Sequence, residues 1–169
     1  MLKKITLLFL TSPFWFTPIA TAQTSINNDF CQPPLEAELL EKDATELAQL
    51  NIVTADTVSQ EQISVPSLWW AKEQFAKKKL LINWIAHQEQ NRIDLIVNRQ
   101  LWSNLTDIER YAFVNKFGNV ARRYQYNLRV FNQQTKCLAA YTCQFDASSE
   151  GRDDCKIESN LLQGGLQFY

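Results

Sequence analysis

Four cysteines restrict this chain more than any other feature, and three of them fall in one stretch, CLAAYTCQFDASSEGRDDC, from Cys137 to Cys155. Structural zinc sites are built on paired C-x2-C or Cys/His spacings. Here the gaps are C-x5-C and C-x11-C, and His87 is the sole histidine. A redox C-x2-C pair is missing from the sequence as well. In an oxidising compartment an even cysteine count reads as two disulfides. The compartment therefore has to be settled first.

The N-terminus points to export. Lys3 and Lys4 precede the apolar run ITLLFLTSPFWFTPIA, which closes on Ala20-Thr21-Ala22. A short basic region, an apolar core and an A-x-A end are the pattern of a secretory signal. Pro13 and Pro18 interrupt the run, and a spanning helix needs about 20 apolar residues, so an uncleaved anchor is the weaker reading. Cys31 follows Asn27-Asn28-Asp29-Phe30 instead of abutting the apolar core, which argues against a lipoprotein. The expected mature chain begins near Gln23 with no stable membrane span. The formal net charge is −1 and becomes more negative once Lys3 and Lys4 are lost. No strong positive field remains to hold nucleic acid or anionic lipid.

Four cysteines allow three pairings. In CLAAYTCQF, Cys137, Ala139, Tyr141, Cys143 and Phe145 fall on one face at period two. On a strand Cys137 and Cys143 would lie about 20 Å apart, beyond the ~7 Å limit for bridged Cα atoms. That excludes Cys137–Cys143. Of the two pairings left, Cys143–Cys155 with Cys31–Cys137 is favoured. The first closes the polar loop and the second ties the N-terminal segment to the rest.

Periodicity divides the chain into a signal peptide (1–22), an N-terminal helical and irregular segment (23–65) and a domain (66–169). After Pro33-Pro34, Leu35, Leu39, Leu47 and Leu50 recur at helical spacing, and 51–64 is polar and irregular. Pro66 opens SLWWAKEQFA as a short helix. LLINWIA and RIDLIVN read as a hairpin across HQEQN, with Ile93, Leu95 and Val97 on one face. Thr106 and Glu109 make a capping box before DIERYAFVNKFGNVARRY. Phe113, Phe117, Val120, Ala121 and Tyr124 form the apolar stripe of that helix. Gly118 sits in its middle at a cost near ~1 kcal/mol against Ala, which a close approach to the sheet would explain. YNLRVF and CLAAYTCQF follow as strands around the turn NQQT. The order predicts an α+β fold: N-terminal helices, then a β-β-α-β-β unit with a mostly antiparallel, disulfide-stapled sheet.

LWW with Phe75, VNRQLW at 97–102, ERYAFVNKFG at 109–118 and YNLRVF at 126–131 resemble segments of a family of short exported cyanobacterial proteins. The resemblance spans roughly residues 66–145, taken as one α+β unit. It implies a host type and a periplasmic or thylakoid-lumen address, or an extracellular one, and no activity.

Catalytic patterns are scarce, and no catalytic residue, metal site or cofactor is expected. His87 falls at the hairpin turn and reads as a solvent-exposed turn residue without an acid or nucleophile beside it in sequence. The sequence holds no G-x-S-x-G elbow, glycine-rich phosphate loop or H-E-x-x-H. Asp94, Asp107 and Glu109 could form a glycosidase-like carboxylate pair, but Asp107 and Glu109 suit the positive end of their own helix better. Asp146, Ser148, Glu150 and Gly151 match the first positions of a calcium loop, yet position 12 is Ile157; an exposed acidic loop is the simpler reading. Trp69, Trp70, Trp84 and Trp102 read as core and rim packing before they read as a stacking surface. Lys77, Lys78 and Lys79 read as a solvated helix end.

Two function classes follow: a non-enzymatic binding or assembly module for a protein partner or small anionic ligand, and, as the alternative, a periplasmic hydrolase using paired carboxylates. The ligand-binding candidates are Asn98 and Arg99 at a strand end, Arg110 and Tyr111 at the start of the capped helix, Asn115 one turn on, and Arg129. Orphan N–H groups and the dipole favour anions at such a junction. Arg129 projects opposite to Leu128 and Val130. The competing reading pairs each arginine with Asp94, Asp107 or Glu109 at the surface, where an ion pair contributes little.

Mass spectrometry of the protein from its host should show a start near Gln23. An intact Met1 in the membrane fraction would contradict cleavage.

Overall fold

β-Branched runs and one capped helix build the architecture expected from the pattern. The computed structural model describes residues 29–57, 79–145 and 154–159. The signal segment, the helix after Pro66 and the acidic loop at 146–151 lie outside these residues. Six strands form one sheet in chain order: β1 (Ile52–Thr54), β2 (Leu81–His87), β3 (Arg92–Val97), β4 (Asn127–Asn132), β5 (Cys137–Gln144) and β6 (Asp154–Ser159). Neighbours are antiparallel except β3 and β4, which run parallel. Parallel neighbours need a crossover, and two helices supply it: α2 (Arg99–Ser103) and α3 (Asp107–Arg122). A short helix, α1 (Ala44–Gln49), precedes the sheet.

The crossover is fixed by its caps. Asn98 accepts from the Leu101 amide at the start of α2. In the capping box of α3, Thr106 accepts from the Glu109 amide while the Glu109 carboxylate accepts from the Thr106 amide. Such reciprocal caps satisfy donors that a helix start otherwise leaves orphaned. Phe113, Val114, Phe117, Val120 and Ala121 then bury α3 against Trp84, Ile93, Leu95, Val97, Leu128, Val130, Ala139, Tyr141 and Cys143. Trp102 joins this core with its ring edge against Phe113, so both described tryptophans pack inside.

The opposite face is covered by the N-terminal segment. Leu35, Leu39, Leu47 and Ile52 pack on Ile85, Ile96 and Phe131. The single helix expected over the leucines is broken in two, a 3-10 turn at Ala37–Glu41 and then α1. Asp43 causes the break, because its carboxylate accepts from the Thr45 and Glu46 amides as an N-cap. The stretch expected to be irregular contains β1, which pairs with β2 from Ile52↔His87 to Thr54↔Ile85. Ile52–Thr54 thus belong to the same sheet as the later strands.

Both disulfides of the favoured pairing are present, Cys31–Cys137 and Cys143–Cys155. One face assignment is corrected. The register slips between Val130↔Ala139 and Phe131↔Cys137, so one extra residue in β5 turns Cys137 away from Ala139, Tyr141 and Cys143. A β-bulge does this by placing two residues opposite one. Cys137 then packs beneath the N-terminal segment while Cys143 packs beneath α3.

Gly118 is where helix and sheet come closest. A Cβ there would lie 2.3 Å from Tyr141 Cγ, a ring atom held near its own backbone. Gly118→Ala should therefore lower stability by about 1–2 kcal/mol in urea unfolding, because overpacking outweighs the ~1 kcal/mol gain in helix propensity. The loss should shrink in a Tyr141→Leu background. A stabilised Gly118→Ala single variant would contradict the close approach.

Candidate functional site

The parallel register of β3 and β4 sets Asp94 directly beside Arg129. Both project away from α3, toward the N-terminal segment, and both are buried. Arg129 Nε donates to Asp94 Oδ1 and Nη2 donates to Oδ2, each at 2.7 Å. This two-pronged geometry is the strongest ion pair a guanidinium makes. The remaining nitrogen, Nη1, donates to the Cys31 carbonyl at 3.1 Å and to the Pro33 carbonyl. The guanidinium also lies 4.9 Å from the centre of the Phe131 ring, within cation–π range.

Three further side chains complete the cluster. His87 ends β2 and is buried, with Nε2 3.4 Å from Asp94 Oδ2 and Nδ1 3.4 Å from Glu36 Oε2. Arg92, its partner across the hairpin, brings Nη2 to 2.9 Å from His87 Nε2 and to 3.5 Å from Glu36. One ring nitrogen cannot serve Arg92 and Asp94 together. A guanidinium only donates and a carboxylate only accepts, so Nε2 takes the Arg92 bond without a proton and the Asp94 bond with one. Arg92 Nε sits 3.3 Å from Asp94 Oδ2 but is not aligned as a hydrogen bond.

Electrostatics agree with this reading of Asp94 as a fixed anion. Burial works to raise its carboxyl, but the contact with His87, the bonds from Arg129 and the charges of Arg129 and Arg92 outweigh it and hold the group below its ordinary value. Arg92 is lowered, chiefly by burial, with the Arg129 charge adding to the effect while Asp94 and Glu36 oppose it. Apart from the Glu36 side chain, which is 39% exposed, the cluster is buried, and its charges answer one another. It is a lock between the sheet and the N-terminal segment.

The candidates from sequence scatter around the fold. Arg129 lies in the lock, on the face opposite α3. Arg110 donates from Nε to the Trp102 carbonyl and from Nη2 to the Ser103 carbonyl, closing the end of α2, and pairs with Asp107 at 3.2 Å. Arg99 Nη1 donates to Gln134 Oε1 in the β4–β5 turn. Asn98 is spent as a cap, and Asn115 Oδ1 accepts from Asn119 Nδ2. The three arginines therefore do not surround one hollow. The reason was already in the strand pattern, since Arg129 points opposite to Leu128 and Val130, and α3 covers that leucine and valine.

His87 is buried, not an exposed turn residue, because β2 runs on through it to pair with β1 and β3. Sequence reasoning also missed Arg92 and Glu36. The available signal was parity: His87 shares a face with Ile85, and Asp94 shares one with Ile96. Of the carboxylates considered for catalysis, Asp94 is held in the lock, Asp107 pairs with Arg110 and Glu109 closes the capping box. Among the described residues no group of His, Cys, Asp and Glu is arranged to hold a metal ion.

Among the described residues, α3 and the β5–β6 edge enclose a concave surface. Trp102, Asp107, Arg110, Tyr111 and Val114 form its wall, and Ala139 with Ile157 and Ser159 of β6 forms its floor. Tyr111 is 39% exposed and Ile108, one turn earlier on the same helix, is 78% exposed. The chain matches no family model, no curated protein and no solved structure.

Asp94→Asn should cost about 3–5 kcal/mol near neutral pH, because it leaves Arg129 buried without its anion. Since the Asp94 carboxyl is lowered in the folded chain, its contribution is present above the unfolded value of about 3.9 and is lost as pH falls through the folded value. Acid unfolding should accordingly be shallower in the variant. An unchanged midpoint in urea at pH 7 would contradict the lock.

Proposed function

We propose that this chain is an exported, non-catalytic binding module that takes a protein partner in the groove between α3 and the β5–β6 edge. The observation that carries the reading is the contrast between the two charged and apolar surfaces. Each arginine of the anionic-ligand reading is engaged within the molecule, whereas the groove has an apolar floor of Ala139 and Ile157 beside Tyr111 and Ile108, which are 39% and 78% exposed. Aromatic side chains beside a shallow apolar floor are the usual anchors of protein interfaces.

Export is supported by the signal-like start of the sequence and by two disulfides, which persist in oxidising spaces. Among the described residues no helix is long and apolar enough to cross a membrane. A periplasmic or thylakoid-lumen address in a cyanobacterial host fits these features and rests on the sequence resemblance. The hydrolase alternative lacks comparable support, because its carboxylates are spent on a lock, a surface pair and a cap.

A photoreactive side chain at Ile108 in the oxidised, full chain should capture one discrete protein from the exported fraction of its host. Tyr111→Ala should weaken that capture roughly 30-fold, the loss of about 2 kcal/mol expected for an interface aromatic, while the unfolding midpoint hardly moves. No saturable adduct, or an equal one from a control probe at the exposed Glu89, would overturn the reading.

A further inference from the structure

The two edges of the sheet are finished differently. At β1 the Thr54 amide donates to the Thr57 hydroxyl at 2.8 Å, so a turn of the chain occupies the edge at the end of a strand only three residues long. At the other edge β6 is six residues long and pairs with β5 alone among the described strands. An edge strand of this kind is a template for another strand.

The pairing of β6 with β5 tells which of its main-chain groups face outward. Cys143 and Cys155 are direct partners with Cα atoms 4.1 Å apart. In an antiparallel pair the close spacing belongs to residues that do not exchange hydrogen bonds, and the wide spacing to those that do. Asp154, Lys156 and Glu158 therefore bond inward to β5. The N–H and C=O groups of Cys155, Ile157 and Ser159 point to the open side.

We propose that this edge pairs with the β6 edge of a second copy of the same chain, antiparallel and centred on Ile157. In that register Ile157 meets its own symmetry mate, and Cys155 meets Ser159 in both directions. All three outward-facing residues then exchange main-chain hydrogen bonds. The same register sets Lys156 opposite Glu158 of the other copy, twice, in the closely spaced pairs where side chains interact most. Shifting the centre by one residue to Lys156 still lets the outward main-chain groups meet, but it sets lysine against lysine and Asp154 against Glu158. A contact that is the same patch on both copies is the ordinary geometry of a closed dimer.

Main-chain direction thus fixes which residues face outward, and charge favours the Ile157 centre over the Lys156 one. Lys156 is 66% exposed and within 3.3 Å of Glu158 on its own strand, so the two are poised at the edge and not committed to the core. The exposed lysine alone could serve to keep strands apart, but a repelling edge would not present a lysine and a glutamate that complement themselves under two-fold rotation. The inference does not rest on the groove reading: it uses the main chain of β6, not the rim at Ile108 and Tyr111.

Sedimentation of the oxidised, full chain across the micromolar range tests the dimer. The expected result is a concentration-dependent monomer–dimer equilibrium, with amide exchange at Ile157 slowing as the dimer forms. Lys156→Glu should weaken association by about tenfold, because both cross-strand pairs become repulsive. Lys156→Glu combined with Glu158→Lys should restore it, since the exchanged charges are again complementary. Peptide mapping of the Cys143–Cys155 bridge checks that β6 is intact in each variant. A chain that stays monomeric throughout, or a dimer indifferent to Lys156→Glu, would overturn the proposal. Loss of partner capture in Tyr111→Ala with the dimer unchanged would leave it standing.

Discussion

The Asp94–Arg129 pair is the interaction on which the two layers of this molecule depend. It joins the parallel neighbours β3 and β4, and it does so on the face that the N-terminal segment covers. Removing both charges from water costs several kcal/mol per ion, and a bare pair would not offset that. Here the geometry is two-pronged, and the guanidinium nitrogen left over donates to the carbonyls of Cys31 and Pro33. The same group that neutralises the sheet's buried anion thereby binds the covering segment by its backbone. Segment and sheet are specified together.

The bulge in β5 extends this logic to the covalent level. Without it Cys137 and Cys143 would share a face, and both bridges would lie beneath α3. With it, Cys31–Cys137 fastens the N-terminal segment on one side and Cys143–Cys155 fastens β6 on the other. Cross-linking stabilises partly by restricting the unfolded chain, by about 3 kcal/mol for a 15-residue loop and about 4.7 kcal/mol for a 100-residue one. The separations here are 12 and 106 residues. The longer bridge acts on the same segment that Arg129 grips, so the covalent and ionic restraints reinforce each other. Among the described residues Leu35, Leu39, Leu47 and Ile52 seal that side.

Much of this was legible in the sequence, and the limits have physical causes. β3 declared itself by Ile93, Leu95 and Val97, and α3 by a capping box that needs only residues three apart. Strand rise excluded one of the three bridge patterns, and the polar loop between Cys143 and Cys155 favoured the observed one of the two left. Gly118 signalled a close approach, because nothing local rewards glycine within a helix. What escaped depends on register between strands distant in the sequence. β1 is three residues in a polar stretch, without enough alternation to stand out. The lock brings together Glu36, His87, Arg92, Asp94 and Arg129, and no spacing rule links residues so far apart. Parity placed Arg129 on the correct side of its strand, but the covering segment that makes this side an interior cannot be seen from β4. The bulge that turned Cys137 is equally invisible, since one extra residue leaves no mark on composition.

The arrangement of interior charge also constrains where this protein can meet anything else. One face of the sheet is closed by α3 and the other by the tethered segment with its ionic lock. Opening either face would expose a core or strand a buried ion, so neither can be a ready binding surface. At the β1 edge the Thr54 amide is already answered by Thr57. What is left is the region where α3 stops short of covering β5 and β6: an aromatic rim above, an apolar floor below, and beside them a strand whose outward main-chain groups are unanswered among the described residues. Among the described residues, both proposed contacts therefore fall on the β6 side, away from the restraints that hold the two faces of the sheet closed.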